Sequence, residues 1–460
     1  VQQLLPLFPY QDVGRDFLVG KKIGLLADEM GLGKSAQAIR ALEKLPCPAP
    51  SLVVCPAVAR RNWAREFIKF GIEFPHSHVI EKAQDLQSWN LRSHLIISYN
   101  FAPQLLLWLQ EKQKKFFTGQ IKVFSAVVCD EVHMLKNMQS QRTKTVLGSE
   151  GLARYGRRFW ALSGTPMPNH AGELWTLLYT MGATKLSYWK FVEKFCNTYG
   201  GFSKVGWSPT IVSGTKKSAI PELRKVLAPV MLRRQVKDVD IDLPPLIFSD
   251  PITLEKPERI PDADFTDGEL KNLKAQRIQL LGIQQDHGLT AEALTLLAPS
   301  VATLRRYTGL MKVEGVSKLV NDELLHKAYD KIIIFAVHKQ VIRSLLARLW
   351  LYGPVSITGE TSPHAREVRI KNFMTLPKCK VLIGNIQACG TAINLTAASQ
   401  VLFAEQSWTP GDNAQAVKRA HRIGTRETVF VRTCSLDESM DARINEVLKE
   451  KTESICLTFD

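Results

Sequence analysis

The chain has 460 residues, enough for two or three domains each with its own core, and its composition of 45% apolar and 23% charged residues excludes both a short peptide module and a disordered chain. Its 60 Lys and Arg against 44 Asp and Glu give a net charge of +16, an excess that favours a polyanionic partner, with nucleic acid first, over a small neutral one. No apolar run reaches the ~18–20 residues of a membrane span, and residues 1–10 lack a signal-peptide pattern, so an intracellular protein is expected, with the missing initial Met pointing to a trimmed or partial chain.

Five short apolar runs, at 23–27, 51–55, 95–99, 126–130 and 159–163, are each followed by a loop and a helical pattern, which predicts parallel strands buried on both faces. After the first comes Asp28-Glu29-Met30-Gly31-Leu32-Gly33-Lys34-Ser35, leading into a helix. Gly31 and Gly33 let the backbone wrap a phosphate with its N–H groups, Lys34 can reach the β- and γ-phosphates, and Ser35 can ligate Mg²⁺. Asp28 stands where the usual G-x-x-x-x-G-K-[ST] pattern has its first glycine, so by pattern alone an incidental turn remains an alternative. Ala38, Leu42 and Leu45 recur at i, i+4, i+7 before Pro46, and Trp63, Phe67 and Phe70 repeat that spacing; both helices are expected to pack on the sheet.

The fourth run ends in Asp130-Glu131, at the strand edge where parallel sheets bind ligands. Asp130 can hold a hydrated Mg²⁺ and Glu131 can polarise an attacking water, although an acid pair after a strand is, alone, more often a helix N-cap. His133 has no second His or Cys at ligand spacing and reads as a coupling or structural residue. Ser163-Gly164-Thr165-Pro166 closes the fifth strand and puts small hydroxyls at the same edge. An insertion is expected over about 170–235, including a Gly/Ser-containing stretch at 200–218. Lys216, Lys217, Arg224, Lys225, Arg233, Arg234 and Lys237 face only Glu222, and are either a grip on a phosphate backbone or a solvated face.

Five prolines (Pro244, Pro245, Pro251, Pro257 and Pro261) mark 242–264 as the connection between two α/β lobes, 1–241 and 265–460. A helical insertion over about 265–316 precedes the second strand set at 332–337, 355–358, 381–384, 401–404 and 429–433. Gln415-Ala416-Val417-Lys418-Arg419-Ala420-His421-Arg422-Ile423-Gly424 puts Arg419 and Arg422 three apart, on one face if helical. Two guanidiniums projected together suit a triphosphate, and a solvated basic helix is the other possibility. The eight cysteines form no C-x-x-C pair, so neither zinc nor a disulfide framework is signalled and buried thiols are expected.

The order of these motifs, from Pro9-Tyr10-Gln11 through "DEMGLGKS", Asp130–His133, Ser163–Pro166 and Leu232-Arg233-Arg234 to "QAVKRAHRIG", resembles the Swi/Snf family of superfamily-two helicase-like ATPases over most of the chain, about residues 9–446. The resemblance implies two RecA-like α/β lobes with ATP and Mg²⁺ between them and double-stranded DNA as partner. By it, Gln11 reads adenine, Lys34 and Ser35 hold phosphates and metal, Asp130 and Glu131 serve metal and water, and Arg419 and Arg422 act from the opposite lobe. His133, Thr165 and Gln415 are the expected coupling residues. DNA-backbone contacts are expected at Pro56, Ala57, Lys136, Asn137, Thr361, Gly390, Thr391 and Asn394. Ser35, Val132 and Thr425 replace the family's commoner Thr, Ala and Gln, and residues 385–390 match its Gly-rich motif loosely. "VLFAEQSWTPG", with Trp408, is similar to the branch that anneals strands and remodels stalled forks, so branched DNA is the first expectation; protein partners are not indicated. The alternatives are an RNA- or single-strand-dependent helicase, since DEVH is near the DEAH signature, and a non-hydrolysing DNA clamp.

Overall fold

The computed structural model describes residues 5–45, 50–71, 77–89, 92–116, 121–203, 206–241, 243–255, 257, 298–390, 393–436 and 439–459. The chain divides into two compact units, one of Val1–Thr198, Gly214–Asp242 and Glu453–Asp460 and the other of Tyr199–Ser213 and Leu243–Thr452. No described helix is long and apolar enough to cross a membrane.

Unit 1 is a seven-stranded sheet in which every neighbouring pair is parallel. Its strands are β1 (Ile23–Leu26), β2 (Leu52–Cys55), β3 (Ser77–Val79), β4 (His94–Ser98), β5 (Val127–Asp130), β6 (Phe159–Leu162) and β9 (Met231–Leu232), in the order β3-β4-β2-β5-β6-β1-β9. β2 and β4 are buried at every position, as apolar runs covered by helices on both faces require. Full burial of each Val, Leu or Ile in such a run stabilises by roughly 1.5–3 kcal/mol. The helices α1 (Pro9–Gly20), α2 (Lys34–Glu43) and α3 (Arg60–Phe70) pack in sequence, α2 burying Ala38 and Leu42 and α3 burying Trp63 and Phe67. Beyond α4 (Ala102–Phe116) and α5 (Gln141–Leu147), the expected insertion contains α6 (Trp175–Thr180), α7 (Tyr188–Phe195), a two-stranded ribbon β7 (Cys196–Ser203) and β8 (Gly206–Thr215), and α8 (Ile220–Leu227).

In unit 2 the proline-rich connection becomes two short strands, β10 (Leu246–Phe248) and β11 (Ile252–Leu254), both running along β16 (Val429–Leu436). The prolines flank these strands rather than interrupt them: Pro244 and Pro245 precede β10, and Pro251 stands between β10 and β11. The sheet continues through β15 (Gln400–Phe403), β12 (Ile332–Ala336), β14 (Val381–Asn385) and β13 (Val355–Ile357). Its helices include α9 (Ala298–Leu325), α10 (Lys339–Arg348), α11 (Pro363–Thr375), α12 (Ile386–Cys389), α13 (Pro410–Val417) and the first part of α14 (Met440–Phe459), whose residues from Glu453 on belong to unit 1. Of the helical insertion expected over about 265–316, residues 298–316 lie in α9 and the rest lies outside the described residues.

Two expectations are corrected. Cys456 is exposed rather than buried, because it sits on the outer side of α14; the other described cysteines are buried and free. The second correction concerns Arg419 and Arg422, which do not lie on a helix. α13 stops at Val417 because tertiary hydrogen bonds take over its continuation: Leu395 N donates to Arg419 O (2.9 Å), and the Thr425 hydroxyl donates to Ala420 O and Arg422 O (2.8 Å each).

Candidate nucleotide site

β1 delivers the chain into the loop 28–33, and Gly31 (φ 91°) and Gly33 (φ 71°) make the left-handed turns that aim the following N–H groups at one point. A Cβ at Gly33 would lie 2.4 Å from Gln11 Nε2, so this position needs glycine for space as well as for φ. The start of α2 supplies unpaired amides and positive potential for an anion. Lys34 Nζ folds back onto carbonyls of its own loop, Asp28 O (2.7 Å) and Glu29 O (3.2 Å). Burial pulls the Lys34 ammonium below its ordinary pKa, against the carboxylates of Glu131, Asp28 and Asp130. Phosphate oxygens at this point would supply the acceptors that backbone carbonyls supply here. Ser35 follows in the first turn of α2.

The far side of the loop is tied down by a buried network. Asp28, fully buried, pairs with Arg234 (2.5 Å), which also donates to Tyr10 O and to Gln37 Oε1 (3.0 Å). Gln37 Nε2 returns to Asp28 Oδ2 (3.1 Å) and Leu32 O (3.0 Å). Gln11 donates to Leu32 O (3.2 Å) and accepts from Phe8 N (3.0 Å), so its amide joins the segment 8–11 to the phosphate loop.

The acid pair stands at the end of β5. Asp130 Oδ2 accepts from the Trp63 indole N–H (2.8 Å), Oδ1 accepts from Glu131 N (3.0 Å), and the Tyr99 hydroxyl donates to Asp130 O (2.7 Å). Burial, then the neighbouring Glu131 charge, pushes Asp130 up to about 6. Glu131 adopts φ 50°, a left-handed conformation that a branched or long side chain enters only where the surroundings enforce it. His133 Nδ1 lies 3.4 Å from Glu131 Oε2 and 3.0 Å from Ser163 Oγ, which accepts from Thr165 N (3.2 Å). A Cβ at Gly164 would come 3.3 Å from Lys34 Nζ, so the loop after β6 also borders the lysine. Unit 1 thus brings Lys34, Asp130, Glu131, His133 and Thr165 to one sheet edge, with Gln11 tied to the same phosphate loop.

Mg²⁺ fits this chemistry. The donors are hard oxygens, and a partly buried acid pair that raises one of its own members is relieved by a divalent cation. Among the described residues no three His, Cys, Asp or Glu side chains are grouped as a protein-only metal cage needs, so such an ion would rely on Asp130, Ser35 and substrate phosphates.

In unit 2, Arg419 donates to Gly390 O and Arg422 Nη1 to Ile393 O (3.3 Å), so the two guanidiniums end on carbonyls three positions apart in sequence. Gln415 is buried, with Oε1 3.1 Å from where a Cβ on Gly390 would stand. Thr391 lies outside the described residues. Asn394 is exposed and its Oδ1 accepts from Thr396 N (3.3 Å); Thr361 Oγ1 accepts from Thr358 N (3.0 Å). In unit 1, Pro56 is buried and Ala57 exposed just before α3. Lys136 pairs with Glu173 (2.5 Å), and Asn137 Oδ1 accepts from Gln139 N (2.9 Å).

The basic segment 216–237 is largely spent inside unit 1 rather than presented as one grip. Lys216 donates to Glu193 O, Lys217 pairs with Glu453 (3.2 Å), and Arg224 donates to Leu457 O (2.8 Å). Arg233 donates to Ala27 O (3.0 Å) and Arg234 seals the phosphate loop. Sequence reasoning missed this role of Arg234, and it missed Trp63, read only as part of an apolar stripe. The indole's need for an acceptor was the one available signal.

Residues 15–248 match the family described as SNF2-related domain, and residues 312–424 match the helicase conserved C-terminal domain. A Caenorhabditis elegans protein named SWI/SNF-related matrix-associated actin-dependent regulator of chromatin subfamily A-like protein 1 homolog is 28% identical over 97% of this chain and 61% of its own length. The human protein named DNA annealing helicase and endonuclease ZRANB3 is 26% identical over 97% of this chain and 40% of its own. The chain therefore spans between two fifths and about three fifths of these relatives. A solved structure of the Sulfolobus solfataricus SWI2/SNF2 ATPase core in complex with dsDNA is 24% identical, with a TM-score of 0.44, over 98% of this chain and 92% of that one.

Proposed function

The chain belongs to the SNF2-related family of ATP hydrolases, and we propose that it uses ATP to move along double-stranded DNA, remodelling forks, junctions or protein–DNA complexes. The observation that carries this is the phosphate, acid and coupling set assembled in unit 1, Lys34, Asp130, Glu131 and His133; in unit 2, considered by itself, Arg419 and Arg422 are held on Gly390 O and Ile393 O.

In this proposal ATP phosphates enter the loop 28–33 and draw Lys34 off the carbonyls of Asp28 and Glu29. Glu131 orients and polarises the attacking water, while Asp130 and Ser35 hold Mg²⁺, which supplies charge neutralisation on the phosphates. Arg419 and Arg422 reach the same triphosphate when the two units close, and stabilise the charge that spreads over the transferred group. His133, through Ser163 and Thr165, and Gln415, beside Gly390, relay the nucleotide state to the segments proposed to meet DNA. Those segments are Pro56–Ala57, Lys136–Asn137, Thr361 and 390–394. Cycles of closure and reopening then advance the protein along the backbone, with affinity that is independent of sequence and falls with salt. The net charge of +16 and the names of the relatives support DNA as the track.

The test is ATP turnover measured with duplex, forked, four-way and single-stranded DNA and with RNA. Stimulation by duplex or branched DNA is expected. Stimulation by RNA or single strands alone would move the assignment to a helicase of that substrate, and tight DNA binding without turnover would leave a clamp.

A further inference from the structure

The geometry points to Trp63 as a positioning residue that holds the Asp130 carboxylate in the orientation in which it receives Mg²⁺. The inference rests on the proposed role of Asp130 as the protein's metal-binding carboxylate.

Trp63 is 1% exposed, yet its one polar atom is aimed at the site: Nε1 lies 2.8 Å from Asp130 Oδ2. Glu131 N holds Oδ1 at 3.0 Å and the Tyr99 hydroxyl holds the Asp130 carbonyl at 2.7 Å, so the residue is fixed from three directions. Each carboxylate oxygen can accept about two hydrogen bonds, which leaves room on each for a cation or its water. The indole is itself held. Its ring packs against Phe67 (6.2 Å between centroids), and Phe67 stacks on His94 (4.7 Å). α3, which carries both rings, is pinned at its start by Arg60, which donates to Ile80 O (2.5 Å) and Ala57 O (3.1 Å). Burial and these contacts hold the indole N–H on Asp130. An indole N–H is a neutral, rigid donor, and it satisfies one oxygen without bringing a positive charge that would compete with the metal.

A purely structural tryptophan would also need an acceptor, so the test separates fold from metal. Binding of mant-ADP is titrated by fluorescence in EDTA and across Mg²⁺ concentrations for the wild-type chain and for two variants lacking the indole N–H. These are Trp63→Phe and the isosteric replacement of Trp63 by benzothienylalanine, which keeps ring size and shape if the smaller phenyl ring loosens the fold. Trp160→Phe is the control: Trp160 is equally buried, but its Nε1 donates to Lys21 O (3.1 Å). Both Trp63 variants are expected to bind mant-ADP in EDTA as the wild type does and to need about 10–100-fold more Mg²⁺ for half-maximal effect, with Trp160→Phe unmoved. A benzothienylalanine variant with a wild-type Mg²⁺ midpoint overturns the positioning role while leaving Asp130 as ligand. Wild-type binding that is the same in EDTA and in Mg²⁺ overturns both.

Discussion

Arg234 reaches across 206 positions of sequence to hold both carboxylate oxygens of Asp28, Oδ1 at 3.0 Å from Nε and Oδ2 at 2.5 Å from Nη2. Asp28 occupies the place of a glycine in the general phosphate-loop pattern, and this pair is how the substitution is accommodated. The carboxylate is taken up by a network with Gln37, and the loop carbonyls of Asp28 and Glu29 are left to meet Lys34.

Arg234→Met is expected to lower the unfolding free energy of unit 1 by about 3–5 kcal/mol, because it leaves Asp28 charged and buried without its partner. Pairing it with Asp28→Asn should recover much of that loss in denaturant unfolding. A single variant as stable as wild type would show that the ion pair is not holding the loop.

Lys34→Ala and Glu131→Gln are expected to separate binding from chemistry. The first removes the ammonium from the phosphate loop and should abolish nucleotide binding. The second keeps shape but not basicity, and should hold ATP while hydrolysing it roughly 10²–10⁴-fold more slowly. Equilibrium binding and single-turnover hydrolysis check both; normal turnover by Glu131→Gln would remove Glu131 from the role of base.

Arg422→Ala is expected to slow hydrolysis by about 10³-fold or more with folding intact, if the guanidinium stabilises the transition state. In the structure it donates to Ile393 O (3.3 Å), so a merely local role would show instead as a lower melting temperature with turnover reduced under about tenfold.

His94 gives a pH signature of stability. Its Nδ1 accepts from Ser51 N (3.1 Å) and Ser51 Oγ (2.7 Å), and burial drives its pKa from the ordinary 6.5 down to about 4. Between those values the unfolded chain takes up a proton that the folded chain refuses. Its share of stability is therefore complete above pH 6.5 and is lost as pH falls towards 4, by roughly 3 kcal/mol in all. Urea unfolding from pH 7 to pH 4 should show this slope, and His94→Gln should flatten it.

The motifs legible in the sequence are those whose chemistry is local. Gly31, Gly33, Lys34 and Ser35 sit in one turn, and Asp130, Glu131 and His133 in another, so spacing alone places them at strand ends. What was not legible depends on partners far along the chain. Arg234 reads as one more cation in a basic run, and only the fold turns it towards Asp28. Trp63 shares its helical spacing with Phe67, and nothing in that pattern says that its N–H ends on Asp130. Arg419 and Arg422 lie in a sequence with good helical propensity, and the helix yields to hydrogen bonds with Leu395 and Thr425 that no local rule contains.

The parallel pairing of β9 with β1 sets an order of maturation during biosynthesis. Leu25 and Ala27 donate their amides to Val230 and Leu232 (2.7 Å each), and Glu29 N donates to Arg234 O (2.8 Å). A ribosome must therefore release some two hundred further residues after making the phosphate loop before that loop acquires its final support. Until then the nascent chain carries the right lysine in an unfinished cradle.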